Sequence, residues 1–529
     1  MTRTLKRAGV NRMFTLSGNQ IMPIFDACID CSIELVHVRH EAAAVYMADA
    51  WAQLSGDIGV ALVTAGPGFA NALSPLYSAM TAESPVLLLS GDSPLSQDGV
   101  GAFQELAQTD LSRPLVETAL RCNNAAELGN NIANAIQIAK SGRPGPAHLA
   151  LPFDLLNEEI GEPDLPMAHQ FVPEPLTLGQ DAVDKIMKIV ESAKTPLVLV
   201  GPAQSRSRMG NVLEALEQKL GVPVVAMESP RGLNDPALGS LAQVLPDVDV
   251  VLCIGKKIDF TISFAKSPLF DEDCRFLIID PVAESLNRTK SILGDRLVIG
   301  VLADARLSIN QLLQKNIVNT SNRRSWREKV SKAIATRTGI PKAPISKRIH
   351  PAQLCQTIQH FLNTTEEPIL VADGGEFGQW AQAYVNTPTR IINGPSGAIG
   401  SGLCYALAAK LYRPEATVVA MMGDGTIGFH LSEFDTALRY KAPFVAIVGN
   451  DARWNAEVQM QLREYGKERL IGCELNATRY DLAVKGLGGH GEYVTTLDEF
   501  GPAIERAFDS CLPACINISI EGLAAPLVR

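Results

Sequence analysis

The stretch MMGDGTIGFHLSEFDTALRYKAPFVAIVGNDARWN, residues 421–455, places a carboxylate at the end of each of two apolar runs. Asp424 follows the first run between two glycines, and Asp451 follows the second run 27 residues later. This spacing is long enough for a turn, a helix and a neighbouring strand. Because a right-handed crossover returns the chain parallel to its start, we expect both acidic groups at the same edge of one sheet.

Apolar runs of the same kind recur along the whole chain. They are continuous rather than alternating, and amphipathic segments of helical length separate them, which is typical of parallel strands covered on both faces. The sequence therefore predicts an α/β fold built from doubly wound parallel sheets. The further runs lie at 60–68, 85–92, 196–203, 250–256, 276–281 and 369–375.

The length of 529 residues suggests about three domains. Two segments lack an apolar period and are predicted to be linkers: 157–178 is rich in Pro and Glu, and 320–350 is polar and basic, with a helix expected inside it. These linkers divide the chain into predicted domains at 1–165, 175–325 and 345–529.

Composition and charge exclude several classes of protein. The formal net charge is −10 and no basic patch is evident, which argues against a nucleic-acid partner. No apolar run reaches the roughly 18 residues that cross a membrane, and the N-terminus lacks the apolar core of a signal peptide, so a cytoplasmic location without membrane contact is expected. The ten cysteines are expected to be mostly buried thiols rather than zinc ligands.

Two interpretations of the GDG turn follow from the residues alone. Glycine at the carboxyl end of a parallel strand lets a ligand approach the backbone, and Mg²⁺ typically binds through one or two carboxylates together with substrate phosphates. Asp424 and Asp451 would then form a magnesium-diphosphate site. In the other interpretation the GDG is only a tight turn and Asp451 caps a helix.

Three motifs together resemble the thiamine diphosphate-dependent enzymes, in particular the branch of acetolactate synthase, benzaldehyde lyase and the 2-hydroxyacyl-CoA lyases. The motifs are the GDG stretch with its later Asn-Asp pair, the segment VRHEAAAVYMADAWAQLSGDIGVALVTAGPGFANAL at 38–73, and NGPSGAIGSGLCYALAAKLYRPEA at 393–416. They occur in the family's order and spacing. The resemblance covers nearly the whole chain, is strongest at 35–75 and 393–457, and implies pyrimidine-binding, central Rossmann-like and diphosphate-binding domains in that order.

The resemblance implies the ligands of the metal and of the cofactor. Asp424, Asp451 and the backbone carbonyl of Arg453 correspond to the metal ligands, although the family usually has Asn where this chain has Asp451. Glu41 corresponds to the glutamate that bonds the aminopyrimidine and promotes proton removal from C2 of the cofactor. The further residues implied to contact the cofactor are Gly66, Asn71, Gly397, Ile399, Gly423, Gly425, Thr426, Asn450 and Trp454.

The reaction is implied by the residues expected to face C2. Gln20 and Gln104 are the expected catalytic amides, while Glu376, Phe377, Trp454 and Asn455 are expected to line the substrate pocket. Because amides orient polar oxygen without supplying a strong acid, we expect a carboligase or lyase that forms or cleaves the C–C bond of 2-hydroxy carbonyl compounds. The alternatives are an acetolactate synthase-like or other 2-oxo acid decarboxylating enzyme and, from another class, a non-catalytic cofactor-binding subunit.

The resemblance also implies partners. The family builds each active site from two subunits, so a homodimer is the expected minimum and a homotetramer the expected assembly, acting on a small-molecule substrate. Some relatives hold FAD or an ADP moiety, or bind CoA, through the middle domain. Lys256, Lys257 and Asp280 lie at strand ends where such a nucleotide could bind, although solvent-exposed loop charges are the favoured interpretation.

Overall fold

The computed structural model describes residues 1–162, 164–315, 323–337 and 348–526. Three parallel sheets follow one another along the chain, with helices on both faces, which confirms the predicted α/β class. All eight apolar runs named or quoted above contain a strand. Part of the predicted linker 320–350, and with it the boundary at 345, lies outside the described residues, but the helix expected there is present at 324–335.

The first sheet has the order β2-β1-β3-β4-β6-β5. Its strands are β1 (Arg12–Thr15), β2 (Glu34–His37), β3 (Gly59–Val63), β4 (Val86–Asp92), β5 (Thr118–Arg121) and β6 (Ala147–Pro152). Its helices are α1 (Thr2–Arg7), α2 (Met22–Cys31), α3 (Glu41–Ser55), α4 (Pro67–Asn71), α5 (Leu73–Thr81), α6 (Gln108–Ser112), α7 (Leu128–Lys140) and α8 (Phe153–Leu156).

The middle sheet has the order β11-β10-β9-β7-β8, so the strand order reverses between β7 and β9. Its strands are β7 (Leu197–Val200), β8 (Val224–Ala226), β9 (Val250–Ile254), β10 (Arg275–Asp280) and β11 (Leu297–Leu302). Its helices are α9 (Gln180–Ser192), α10 (Arg206–Met209), α11 (Val212–Leu220), α12 (Ala283–Leu293) and α13 (Ala305–Leu313), and α14 (Arg324–Ala335) packs beside them.

The third sheet has the order β13-β12-β14-β15-β17-β16. Its strands are β12 (Pro368–Ala372), β13 (Thr389–Ile392), β14 (Thr417–Gly423), β15 (Val445–Asn450), β16 (His490–Val494) and β17 (Ala514–Ser519). Its helices are α15 (Pro351–Leu362), α16 (Glu376–Tyr384), α17 (Gly402–Tyr412), α18 (Asp424–Ile427), α19 (Glu433–Arg439), α20 (Asn455–Glu464), α21 (Tyr480–Gly486) and α22 (Leu497–Asp509).

The first and third units share a core through helices α3 and α17. Both helices are rich in alanine, and small side chains let two helix backbones approach closely. The hydroxyl of Tyr405 on α17 donates a hydrogen bond of 2.7 Å to Asp49 on α3, which satisfies both buried polar groups. Packing between these helices fixes the position of Glu41, the first residue of α3, relative to the third sheet.

The structure also tests the predictions for membrane-spanning segments and for the cysteines. No helix of the described residues has an apolar stretch long enough to cross a bilayer. The cysteines are free thiols and most are buried, as expected, whereas Cys511 is exposed.

Candidate active site

The two carboxylates that end the apolar runs of residues 421–455 lie at the ends of adjacent strands. Strands β14 and β15 pair in parallel with Gly423 opposite Gly449, so Asp424 and Asp451 emerge at the same edge of the third sheet, as predicted. Asp424 is the first residue of α18, and Asp451 directly follows β15. Both side chains are buried.

The electrostatics of this pair suit a cation. Burial raises the pKa of Asp424, and burial followed by the charge of Asp424 raises the pKa of Asp451, because water no longer stabilises two neighbouring negative charges. The Oδ2 atom of Asp424 is buried and has no hydrogen-bond partner among the described residues. A divalent cation between the carboxylates would offset the repulsion between their negative charges and would give the unpartnered Asp424 oxygen a bonding partner.

The donor set suits magnesium held jointly with phosphate. Within residues 1–162, 164–315, 323–337 and 348–526, no three His, Cys, Asp or Glu side chains cluster closely enough to bind a metal ion. Mg²⁺ commonly uses one or two carboxylates and takes its remaining ligands from phosphate and water. Asp424 and Asp451 therefore fit this cation without any further acidic side chain.

A cavity of about 330 Å³ lies beside the carboxylate pair. Most of the third-unit residues that the resemblance assigns to the metal, the cofactor or the substrate line this cavity. They are Glu376, Phe377, Gly397, Ile399, Gly423, Asp424, Gly425, Thr426, Asp451, Arg453, Trp454 and Asn455. Asn450 is not among the lining residues, because its amide donates to the carbonyl of Thr478 and to Asn517. Asn450 thus braces the strand end rather than facing the cavity.

Two glycines of this edge are required by close packing of aromatic rings. A Cβ at Gly425 would lie 2.5 Å from the Trp454 indole, and one at Gly449 would lie 2.5 Å from the Phe377 ring. Both distances are below any normal contact, so no other residue fits without displacing a cavity wall. The glycines therefore set the position of two residues predicted to face the substrate.

Asp373, which the sequence analysis did not single out, organises the opposite wall. It is buried at the end of β12 and accepts hydrogen bonds from the backbone N–H groups of Gly374, Gly400 and Gly402. These contacts hold the turn that carries Ile399 against the sheet. Its position before Gly-Gly at a strand end resembles that of Asp424, and the same strand-end argument could have found it.

The sequence analysis also did not assign Arg231 to the site, because Arg231 belongs to the middle unit. Together with Ser229 and Pro230 it closes one side of the cavity. Its guanidinium is one-third exposed and lies 3.9 Å from an oxygen of Glu376. Burial lowers the pKa of Arg231 and raises that of Glu376, since both charges lose water on entering this wall. No local sequence pattern links residue 231 to the strand ends of a different domain.

The remaining predicted residues form a separate cluster on the first unit. Glu41 begins α3, whose N-terminus His40 caps, and it accepts a hydrogen bond of 3.0 Å from the amide of Asn71. A Cβ at Gly68 would lie 3.2 Å from the Glu41 carboxylate, so the glycine turn and the carboxylate are in close contact. Negative charge at a helix N-terminus is stabilised by the helix dipole.

Gln20 and Gln104 lie in the same cluster and are joined directly. The Gln20 amide donates to Gln104 at 2.7 Å and accepts from the hydroxyl of Thr64 at 2.6 Å. Gly66 packs against Gln104, where a Cβ would lie 2.9 Å from that side chain. The amide pair is thus fixed by its own network rather than free on the surface.

The two clusters do not share one cavity within a single chain. Among the described residues, none before Ser229 lines the cavity beside Asp424. Glu41, Gln20 and Gln104 therefore lie outside that cavity, although the sequence motifs imply one cofactor between both clusters.

Comparisons with known proteins identify the family. The N-terminal TPP-binding domain of thiamine pyrophosphate enzymes matches residues 1–111, the central domain of these enzymes matches 183–312, and the C-terminal TPP-binding domain matches 373–518. This chain belongs to the thiamine pyrophosphate enzymes. It is therefore an enzyme with thiamine diphosphate as cofactor, and the resemblance drawn from the motifs is confirmed.

Proteins with two different names are similar to this thiamine pyrophosphate enzyme. The acetolactate synthase large subunit IlvG of Mycobacterium tuberculosis is 30% identical and the match covers 99% of this chain and 96% of the relative. The 2-hydroxyacyl-CoA lyase 2 of Mus musculus is 32% identical over 92% of this chain and 83% of the relative, and that of Homo sapiens is 31% identical over 98% and 88%. All three span the domains of this thiamine pyrophosphate enzyme.

The charges at the strand ends of the enzyme's middle unit differ from the favoured expectation. Lys257 is exposed, as expected of a loop charge, but Lys256 and Asp280 are buried. Lys256 donates to Asp259, and Asp280 accepts hydrogen bonds from Arg143 and Ser285. The solvent-exposed interpretation is thus wrong for two of the three residues, because Lys256 turns to Asp259 of its own unit and Arg143 of the first unit packs over Asp280.

Proposed function

We propose that the chain is a thiamine diphosphate- and magnesium-dependent carboligase or lyase that forms or cleaves the C–C bond of 2-hydroxy carbonyl compounds. The observation that carries this proposal is the buried Asp424–Asp451 pair, with its unpartnered carboxylate oxygen, at the mouth of a cavity. A reaction of the 2-hydroxyacyl-CoA lyase or acyloin lyase type is the favoured form. The amide character of Gln20 and Gln104 supports it, since neither amide can act as a strong acid.

Each residue near the carboxylates has a proposed task. Asp424, Asp451 and the carbonyl of Arg453 would hold Mg²⁺, while the backbone of residues 423–426 would bind the diphosphate at the start of α18. The bound cofactor supplies a nucleophilic carbon that can attack a carbonyl group. Trp454 and Phe377 would exclude water from the cavity.

Glu41 would hold a proton at the aminopyrimidine ring. Asn71 orients its carboxylate by one hydrogen bond, which leaves the second oxygen, Oε1, for a ligand. Because Glu41 lies outside the cavity that contains Asp424, a second copy of the chain would supply the glutamate, so a homodimer is the smallest active assembly. The same second copy would also supply Gln20 and Gln104, whose amides would orient substrate oxygens.

Arg231 supports a second candidate, an enzyme that acts on 2-oxo acids as acetolactate synthase does. Its guanidinium donates no hydrogen bond within the described residues and meets only the distant oxygen of Glu376. A guanidinium binds a carboxylate through two parallel hydrogen bonds, and a 2-oxo acid carries such a group whereas an acyloin does not. The cavity wall at Arg231 therefore favours a substrate that carries a carboxylate.

Offering three substrates to the reconstituted enzyme decides between these candidates. Pyruvate, an aromatic acyloin and a 2-hydroxyacyl-CoA would be supplied separately with Mg²⁺ and thiamine diphosphate, and products would be identified by mass spectrometry. Aldehyde release from the second or third substrate supports the lyase, and acetolactate from pyruvate supports the second candidate. If none of the three reacts although the cofactor binds, the proposed reaction is wrong.

The Arg231→Gln variant separates the two candidates further. If Arg231 binds a substrate carboxylate, the variant should raise KM for pyruvate at least about tenfold while KM for a neutral acyloin stays unchanged. Equal effects on both substrates would show that Arg231 only shapes the cavity. Glu41→Gln serves as the control that removes turnover with every substrate.

A further inference from the structure

The carboxyl edge of the middle sheet has the geometry at which open parallel sheets bind ligands. The strand order reverses between β7 and β9, and ligands of such sheets collect in the crevice outside the strand ends at this point. The crevice is bounded by the segment Gly201–Ala203 after β7 and by Gly255 after β9. A nucleotide of the middle unit would be expected to place its phosphates there.

Glu83 of the first unit fills this crevice. One carboxylate oxygen accepts a hydrogen bond of 3.1 Å from the backbone N–H of Ala203, and the other forms an ion pair with Arg143. Only 4% of Glu83 is exposed. A carboxylate held by a backbone N–H after a strand and by one guanidinium nitrogen of an arginine uses the same kinds of donor that would bind a phosphate.

Arg143 closes the other side of the crevice. Its guanidinium donates to the carbonyl of Gly255 at 2.7 Å and to Asp280 at 2.8 Å. A Cβ at Gly201 would lie 2.5 Å from the Gly255 carbonyl and 3.4 Å from the Glu83 carboxylate. The donors and acceptors of the crevice are therefore bound by side chains of the first unit, with little space between them.

The backbone of Glu83 is held in place from the middle unit. Its φ of 55° lies in the left-handed region, which is unfavourable for a residue with a side chain. Arg208 on α10 donates to the Glu83 carbonyl at 2.9 Å and to the Ser84 hydroxyl at 3.1 Å. Contacts from a second domain thus maintain the conformation that directs the carboxylate into the crevice.

We propose that Glu83 is a built-in anion that takes the place of a nucleotide phosphate, so that the middle unit binds neither FAD nor ADP. The nucleotide that some relatives hold does not fit the residues present here, because Glu83 and Asp280 already bind the two terminal nitrogens of Arg143 and Glu83 takes the backbone N–H of Ala203. This property concerns the middle unit alone, and if the substrate is a 2-hydroxyacyl-CoA, the ADP moiety of the CoA would bind outside this crevice.

The first experiment measures nucleotides in the wild-type enzyme and in a variant that empties the crevice. Denatured wild-type protein should release no stoichiometric FAD or ADP by absorbance and mass spectrometry. Calorimetric titration of the enzyme saturated with Mg²⁺ and thiamine diphosphate with ADP or inorganic phosphate should give no binding heat. Glu83→Ala should gain at least about tenfold in affinity for phosphate or ADP. Added phosphate should also raise the melting temperature of this variant but not that of the wild type.

Two control variants make the result specific. Glu83→Gln keeps the crevice filled and should not gain anion binding. Glu228→Ala uncovers Arg390, another buried arginine between two units, and should not gain ADP affinity. Stoichiometric nucleotide in the wild type would overturn the proposal whether or not the variants fold. The same conclusion follows if folded Glu83→Ala gains nothing, or if Glu228→Ala gains as much.

Discussion

Mixing two inactive variants tests whether one active site draws residues from two chains. Asp424 lines the cavity beside the third sheet, and Glu41 lies outside it. Glu41→Gln should abolish turnover by removing the carboxylate that acts on the aminopyrimidine. Asp424→Asn should abolish it by removing one of the two metal carboxylates. If the two residues serve one cofactor from different chains, a mixed dimer contains one intact site and one site with both substitutions.

The fraction of wild-type activity that returns follows from how the two variant chains pair. Random pairing of equal amounts makes half of the dimers mixed, and each mixed dimer has one of two sites intact, so about one quarter of the wild-type activity should return. Co-expression with two different affinity tags allows the mixed dimer to be purified, and its activity should then reach about one half. In a dimer of dimers the randomly paired mixture gives the same quarter, but double-tag purification also retains unmixed dimers, so the purified activity should reach only about 0.3 of the wild-type value.

The control mixes two variants whose substitutions both lie in the third unit. Asp424→Asn mixed with Asp451→Ala should restore nothing, because every site of the mixed dimer lacks a metal carboxylate. Purified mixed dimers of Glu41→Gln and Asp424→Asn that remain as inactive as their parents would refute the two-chain site. Activity in a dilute, demonstrably monomeric wild-type sample would refute it as well.

Three further outcomes are expected. Asp451→Ala should raise the Mg²⁺ concentration for half-maximal activity at least about tenfold, measured by titrating metal-free enzyme. Gly425→Ala should destabilise the fold by about 1–3 kcal/mol in urea unfolding, because its Cβ would meet Trp454 at 2.5 Å, whereas Gly423→Ala, whose Cβ meets nothing within 4 Å, should cost less. Burial raises the pKa of Asp373 from 3.8 to about 6. The unfolded chain therefore releases this proton at a lower pH than the folded chain. Between pH 4 and 6 the free energy of unfolding of the wild type should fall by about 3 kcal/mol as the pH rises, whereas that of Asp373→Asn should not show this fall.

Residues within one strand-helix-strand unit could be placed from the sequence. The spacing of Asp424 and Asp451, with an apolar run before each, was enough to predict adjacent strand ends, because the crossover between parallel strands has one hand. Glu41 directly precedes an alanine-rich segment in the sequence, and α3 begins at this residue. Asn450, next to this edge, was assigned to the cofactor, but its amide turns to Asn517 on β17.

The sequence by itself determined the class of fold and placed Asp424 and Asp451 at one edge of a sheet, since these depend on local hydrophobic pattern and on the handedness of short connections. Only the tertiary structure brought Arg231 to the cavity wall and Glu83 into the crevice of the middle sheet. It also separated Glu41 from the Asp424 cavity within one chain. Such contacts join residues far apart in sequence, and packing between domains decides them without leaving a periodic signal in either segment.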